Sequence, residues 1–277
     1  MYKFTLELLF QIIGIGSASG LLLKNDQLNV ISDNGTFLYS YEMKAAHLSR
    51  HPLGSQPSEN IVKKNKPDFE AITAYGDKIY VFGSGSTENR NQMVTLKAKD
   101  KQLISTADVS EVYQEMRNVS GIDAENFNIE GVIFTGADWY FLNRGNGGSG
   151  KNGVFKVSGP QLKAISKISF KEIALPGIKG VPTGFTDAIL VDHHIYFLAA
   201  AEDSNSTYQD GAVLGTLIGS INMDKMALDF TAQISERHKF EGLTLKQETA
   251  DELSFLLCED NDTDKLQADI YQLKLKR

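Results

Sequence analysis

The sequence predicts an all-β fold, a five-bladed β-propeller whose ring is closed by its own N-terminal strand, and three observations carry that reading. First, an acid followed by a small residue and an apolar run recurs at Phe69-Glu70-Ala71-Ile72, Ile129-Glu130-Gly131-Val132, Thr186-Asp187-Ala188-Ile189 and Phe240-Glu241-Gly242-Leu243. A fainter copy, Ser19-Gly20-Leu21, has serine in place of the acid. The copies stand roughly 50 to 60 residues apart, and a repeat of that length made of short strands reads as a propeller blade. Second, each copy is followed by a short turn such as Lys24-Asn25-Asp26 or Tyr75-Gly76-Asp77, and then by a second apolar run, as a hairpin requires. Third, Phe4, Leu6, Leu8, Phe10 and Ile12 alternate with Thr5, Glu7 and Gln11, the pattern of a half-buried strand.

Reading outward from each repeated motif gives four strands per blade. Blade one takes residues 20–23, 28–32, 37–42 and 47–53, and blade two takes 70–75, 79–83, 93–97 and 102–106, followed by a short helix over 110–116 that ends before Gly121. Blade three takes 130–134, 139–143, 154–157 and 162–168. Blade four takes 187–191, 195–199, 213–221 and 228–234. Blade five offers only 241–245, 254–258 and 270–274, so the alternating segment 3–12 supplies its missing strand. That closure removes two exposed sheet edges. Six blades is the alternative, if the long third or fourth repeat conceals two units.

At 277 residues and 42% hydrophobic, the chain is long enough for two domains by length alone. A closed β array overrides that prior, and residues 1–277 are read as one propeller domain. A net charge of −7 argues against nucleic acid or an anionic membrane as partner, since both need a basic face. Cys258 is the single cysteine, which leaves no intrachain disulfide and no thiolate zinc cluster. No histidine pair has metal-ligand spacing, and no run of about 18 apolar residues offers a membrane span. Glu7 and Gln11 interrupt the N-terminal apolar stretch, so a cytoplasmic location is expected, or a periplasmic one if a leader has been removed.

Strands alternate in direction, so the start of each innermost strand and the end of the second lie on one face of the ring. Glu70, Glu130, Asp187 and Glu241 are therefore expected around the channel mouth, beside polar loops that carry Arg90, Arg144, Asn146, Asp203 and Asp260. Converging carboxylates must be protonated, paired or bridged by a cation. Ca²⁺ suits a site of carboxylates, amides and carbonyls without thiolates, which makes those four acids the candidate metal ligands. Arg90 and Arg144 can balance the charge or hold an anionic group of a small-molecule ligand, with Asn146, Asp203 and Asp260 as further ligand-binding candidates. The same repeated acid would also arise if each carboxylate simply accepted backbone N–H groups of the neighbouring blade.

The segments KPDFEAI, YVFGSGSTENR, NIEGVIF, LNRGNG, GFTDAILV, AAAEDSNSTYQDG, KFEGLTL and LCEDND together resemble an uncharacterised bacterial β-propeller family over nearly the whole length. More distantly, the start of each inner strand resembles the esterase-like phytase domain and the calcium-binding lactonase propellers. That resemblance implies Glu, Asp and Asn ligands around the channel, matched here by positions 70, 130, 187 and 241. Three functions stay open: a ligand-binding propeller with a cation at its mouth, a metal-dependent hydrolase of a phosphoester or lactone with Glu130 or Glu241 as general base, and an interaction platform without catalysis.

Overall fold

The computed structural model describes residues 3–145, 150–203, 211–260 and 266–277. The chain opens with β1 (Phe4–Ile13), which joins no blade until the end of the sequence. Blade one follows as β2 (Ala18–Lys24), β3 (Gln27–Ser32), β4 (Phe37–Glu42) and β5 (His47–Pro52). Blade two comprises β6 (Phe69–Tyr75), β7 (Lys78–Gly83), β8 (Gln92–Lys97) and β9 (Leu103–Asp108), and leads into helix α1 (Ser110–Ser120). Blade three holds β10 (Ile129–Phe134), β11 (Asp138–Asn143), β12 (Gly153–Ser158) and β13 (Ile168–Glu172). Blade four holds β14 (Gly184–Val191), β15 (His194–Asp203), β16 (Ala212–Asn222) and β17 (Ala227–Ser235), and blade five β18 (Phe240–Glu248), β19 (Glu252–Glu259) and β20 (Gln267–Lys276).

Each blade is a four-stranded antiparallel sheet, and the last has the order β1-β20-β19-β18. β1 runs antiparallel to β20 from Phe4 opposite Leu275 to Ile13 opposite Gln267, so the N-terminal strand closes the ring. The inner strands pack in the cycle β2, β6, β10, β14, β18 and back to β2. Five blades, not six, complete it.

Hydrophobic burial holds the ring together at the seams between blades. Leu21 and Val30 meet Leu256 and Ile270 between blades one and five. Ile31 and Leu38 meet Phe69 and Val81 between blades one and two. Phe82 meets Phe141 and Trp139 between blades two and three, a seam that α1 caps with Tyr113 and Met116. Leu142 meets Phe185 and Phe197 at the next seam, and Leu198 meets Leu243 and Phe255 at the last. Alternation along each strand gives every blade two apolar faces, and only a neighbour on each side buries both.

Two sequence boundaries shift. The outer strand expected over residues 162–168 begins only at Ile168, because Lys163 to Lys167 close a turn, with Ser166 N donating to Lys163 O and Ile165 left 92% exposed. The helix runs past Met116 to Ser120, where Gly121 in the left-handed region (φ +68) donates its N–H to Arg117 O and ends it.

Candidate functional site

A β-bulge marks the same place in all five inner strands. The pairing of first with second strand skips one residue between Ala18 and Gly20, Phe69 and Ala71, Ile129 and Gly131, Phe185 and Asp187, and Phe240 and Gly242. The bulged residues are therefore Ser19, Glu70, Glu130, Thr186 and Glu241. Bulges re-aim a side chain out of the ladder, here at the end of the ring where the inner strands begin. The equivalence that the sequence suggests for Asp187 is thus one residue late, and Thr186 holds the repeated position.

The two hydroxyls at these positions are ties between blades. Ser19 Oγ donates to Phe69 O of blade two, and Thr186 Oγ1 donates to Phe240 O of blade five at 2.7 Å. Asp187 is also a tie. Its Oδ1 accepts from Ala188 N at 2.7 Å and its Oδ2 from Leu243 N at 2.6 Å, and burial raises its pKa well above the usual range despite those two bonds. Asparagine there would set an amide donor against one of the two N–H groups. Asp187→Asn is expected to cost about 1 to 3 kcal/mol in urea unfolding, and a loss inside experimental error would show that the tie is dispensable.

The three bulged glutamates lie within electrostatic reach of one another, each nine-tenths or more buried. Two further rings of polar residues meet them. Two positions before the bulged glutamates stand Asp68, Asn128 and Lys239, of which Asn128 Nδ2 donates to Glu130 and Lys239 Nζ meets Glu241. The second ring comes from the first residue beyond the second strand's pairing, where Asp33, Ser84, Arg144 and Asp260 donate their backbone N–H to Ser17 O, Asp68 O, Asn128 O and Lys239 O.

These residues divide into two clusters. In the first, Asp68 is held in the left-handed region (φ +54) and ringed by donors. Arg90 Nη1 donates to its Oδ2 at 2.7 Å, Lys66 Nζ meets its Oδ1 at 2.8 Å, and Ser84 Oγ donates to Oδ2. Lys66 also pairs with Asp33 Oδ2. Burial pushes Asp68 up, but the Lys66 ammonium and the Arg90 guanidinium outweigh it and hold its pKa below the ordinary value. Glu70 has no such company. Among the described residues no basic group or hydrogen-bond donor is seen on its carboxyl, and burial, then Asp68, Glu130 and Asp33, push its pKa well up. Ligand oxygens of Asp33, Asp68 and Glu70 lie within 4.8 Å of one another, so this buried acidic triad can hold a metal ion.

The second cluster is centred on Arg144. Its Nη1 donates to Glu130 Oε1 at 3.2 Å and lies 3.7 Å from Glu241 Oε1, while Nη2 donates to Glu202 Oε2 at 2.7 Å. Lys239 Nζ meets Glu241 Oε1 and Glu202 Oε1, both at 2.9 Å, and Asp260 Oδ2 at 3.5 Å. Asn128 Nδ2 donates to Glu130 Oε1 at 2.6 Å. Burial raises both Glu130 and Glu241 to about 7, against the lowering effect of Arg144 on the first and of Lys239 on the second. Glu202 goes the other way, since Arg144 and Lys239 together overcome its burial.

Of the expected metal ligands, Glu70 falls in the acidic triad, Glu130 and Glu241 share Arg144, and Asp187 is engaged with backbone amides. Arg90 and Arg144 reach the hub, with their guanidinium groups on Asp68 and on Glu130 and Glu202. Asp260 joins through Lys239, Asp203 ends β15 exposed, and Asn146 lies outside the described residues. Asp33, Lys66, Asp68, Glu202 and Lys239 were not singled out from sequence. The polar residue two places ahead of Glu70, Glu130 and Glu241 is the signal that would have found Asp68 and Lys239.

Comparisons with known proteins agree with this architecture. Residues 14–275 match the "Family of unknown function (DUF6929)". No curated protein sequence matches the chain. Among solved structures, the major Malassezia sympodialis allergen Mala s 1 is similar at 9% identity, over 97% of this chain and 96% of that one, with a TM-score of 0.52. A member of the duf4221 family from Bacteroides vulgatus is similar at 9% identity over 99% of both chains, with a TM-score of 0.49. Hydrazine synthase of Kuenenia stuttgartiensis is similar at 10% identity over 90% of this chain, which spans 57% of that one, with a TM-score of 0.43. At such identity the likeness to the allergen speaks for the fold alone.

Proposed function

Since the chain belongs to this family of unknown function, its chemistry must be argued from the hub itself, and we propose a ligand-binding propeller that holds a divalent cation on Asp33, Asp68 and Glu70. One observation carries the reading. Among the described residues, the seven carboxyls of Asp33, Asp68, Glu70, Glu130, Glu202, Glu241 and Asp260 meet Lys66, Arg90, Arg144 and Lys239, and Lys63 acts on Glu202 as a fifth basic group. That excess of acid sits in a buried setting, where an uncompensated carboxylate is costly. Protons meet part of the deficit, and a cation meets the rest. Among the described residues Asp33 Oδ1 is buried and accepts no hydrogen bond, so a cation would give it a partner. Oxygen donors alone favour Ca²⁺, which takes six to eight of them, so Ser84 Oγ and water would complete the shell.

Calorimetric titration of the purified chain with CaCl₂ tests this. Binding of one ion per chain is expected, with a rise in melting temperature that corresponds to about 2.7 kcal/mol once the free ion exceeds its Kd a hundredfold. Glu70→Gln is expected to weaken binding about tenfold or more, because a carboxylate becomes a neutral amide ligand. Titration without heat, joined to an unchanged melting temperature, removes the proposal.

The Arg144 cluster supports a second reading of the same hub. Two carboxyls near neutrality that share one guanidinium are suited to give and take a proton, one as acid and the other as base. In that reading the cation polarises a phosphoester or lactone, and Glu130 or Glu241 activates water. Hydrolysis of such substrates that is lost in Glu130→Gln or Glu241→Gln supports it. A panel without any turnover leaves ligand binding as the function.

A further inference from the structure

Lys66 stands out in the first cluster because its amine is already where a metal would go. It belongs to the segment that crosses from blade one to the inner strand of blade two, just ahead of Pro67 and Asp68. Nζ pairs with Asp33 Oδ2 and with Asp68 Oδ1 at 2.8 Å, and these are two of the three acids of the triad. The side chain is 12% exposed, with the ammonium at the acids. An ion on the same two carboxylates would sit at about 2.3 to 2.6 Å from their oxygens, so it and the ammonium compete for one space.

We propose that Lys66 is the specificity-determining residue of the hub, a tethered ammonium that a divalent ion must displace and that a monovalent ion does not. The proposal rests on the cation reading above. Sodium or potassium offers the two carboxylates the same charge as Nζ, without the advantage of the tether. A divalent ion adds a charge, and it also takes up Glu70 and the orphan Asp33 Oδ1, neither of which bonds Nζ in the structure.

The surroundings are arranged for the exchange. Arg90 Nη1 and Ser84 Oγ keep hold of Asp68 Oδ2 when the amine leaves Oδ1. The backbone does not need to move. Asn89 Nδ2 donates to Lys66 O at 2.9 Å, Lys66 N donates to Val62 O at 3.2 Å, and Asp68 N donates to Asp33 O at 3.1 Å. Only the side chain swings, with its four-carbon stem giving the reach. The apparent affinity of the hub for a divalent ion is then its intrinsic affinity scaled down by the fraction of chains in which Nζ is off the carboxylates.

Calcium titration of Lys66→Met in the full chain, with and without sodium as competitor, tests the proposal. Expected are calcium binding tightened about tenfold or more and a new sensitivity to sodium, with Lys66→Arg keeping the wild-type selectivity. A Lys66→Met variant that binds calcium as the wild type does and ignores sodium overturns it. If neither wild type nor variant binds calcium, the cation reading falls and this inference with it. Should Lys66→Met fail to fold, acetylation of the wild-type chain read by mass spectrometry decides. Lys66 is expected to react faster with calcium bound, and unchanged reactivity at saturating calcium overturns the displacement.

Discussion

Arg144→Met is expected to destabilise the protein by about 3 to 5 kcal/mol at pH 8, the range measured when one partner of a buried ion pair is removed. The guanidinium touches three carboxyls, Glu130, Glu202 and Glu241, and each of them is largely withdrawn from water. Without it, Lys239 still serves Glu202 and Glu241, but among the described residues Glu130 keeps the hydrogen bond of the Asn128 amide and the more distant charge of Lys239. Lysine is a poor substitute, because a point charge cannot bond Glu130 and Glu202 at once through two parallel nitrogens. The cost should shrink toward pH 5, where Glu130 and Glu241 become neutral in either protein and the missing charge matters less. Urea unfolding at the two pH values checks both statements. A loss under about 1 kcal/mol at pH 8 would put Arg144 among solvated surface pairs and deny it a place at the centre of the hub.

The ring and the three glutamates were legible in the sequence because both follow from short-range rules. An acid before a small residue and an apolar run repeats, and strand alternation with hairpin turns does the rest. Asp187 shows where that kind of reading slips. Its tetrapeptide looks like the others, yet the bulge lies one residue earlier, at Thr186, and a bulge depends on pairing with the second strand. The polar partners were hidden for a different reason. Lys66 and Glu202 reach the hub through the course of a connecting segment and the extra length of β15, neither of which has a local signature. Arg90 and Arg144 were legible as loop cations at the right end of the ring. Asp68 and Glu130 pair with them inside a single blade, whereas Glu202 and Glu241 reach Arg144 from blades four and five, a pairing that only the closed ring sets.

A fall in stability between pH 4.5 and 7 is the second large effect expected, and Glu241→Gln isolates it. Glu241 has an ordinary value of 4.5 and is raised to about 7 in the folded chain, first by burial, with Asp260 adding to it and Lys239 and Arg144 opposing. Between those two values the unfolded chain has released the proton and the folded chain still holds it, so stability declines as pH rises across the window and levels off above 7. A shift of that size is worth up to about 3 kcal/mol, with Glu130 following the same course and sharing the effect. Asp68 and Glu202, whose values are lowered, change stability below the window. His51, lowered by burial and by Lys101, acts inside it with the opposite sign, which is why a difference curve is needed. Glutamine keeps an acceptor for Lys239 and has no proton to lose. Subtracting the stability of Glu241→Gln from that of the wild type should therefore leave a curve that drops across the window by up to about 3 kcal/mol. A flat difference would mean that Glu241 is ionised throughout, as an exposed glutamate is, and that the hub does not hold protons in place of a cation.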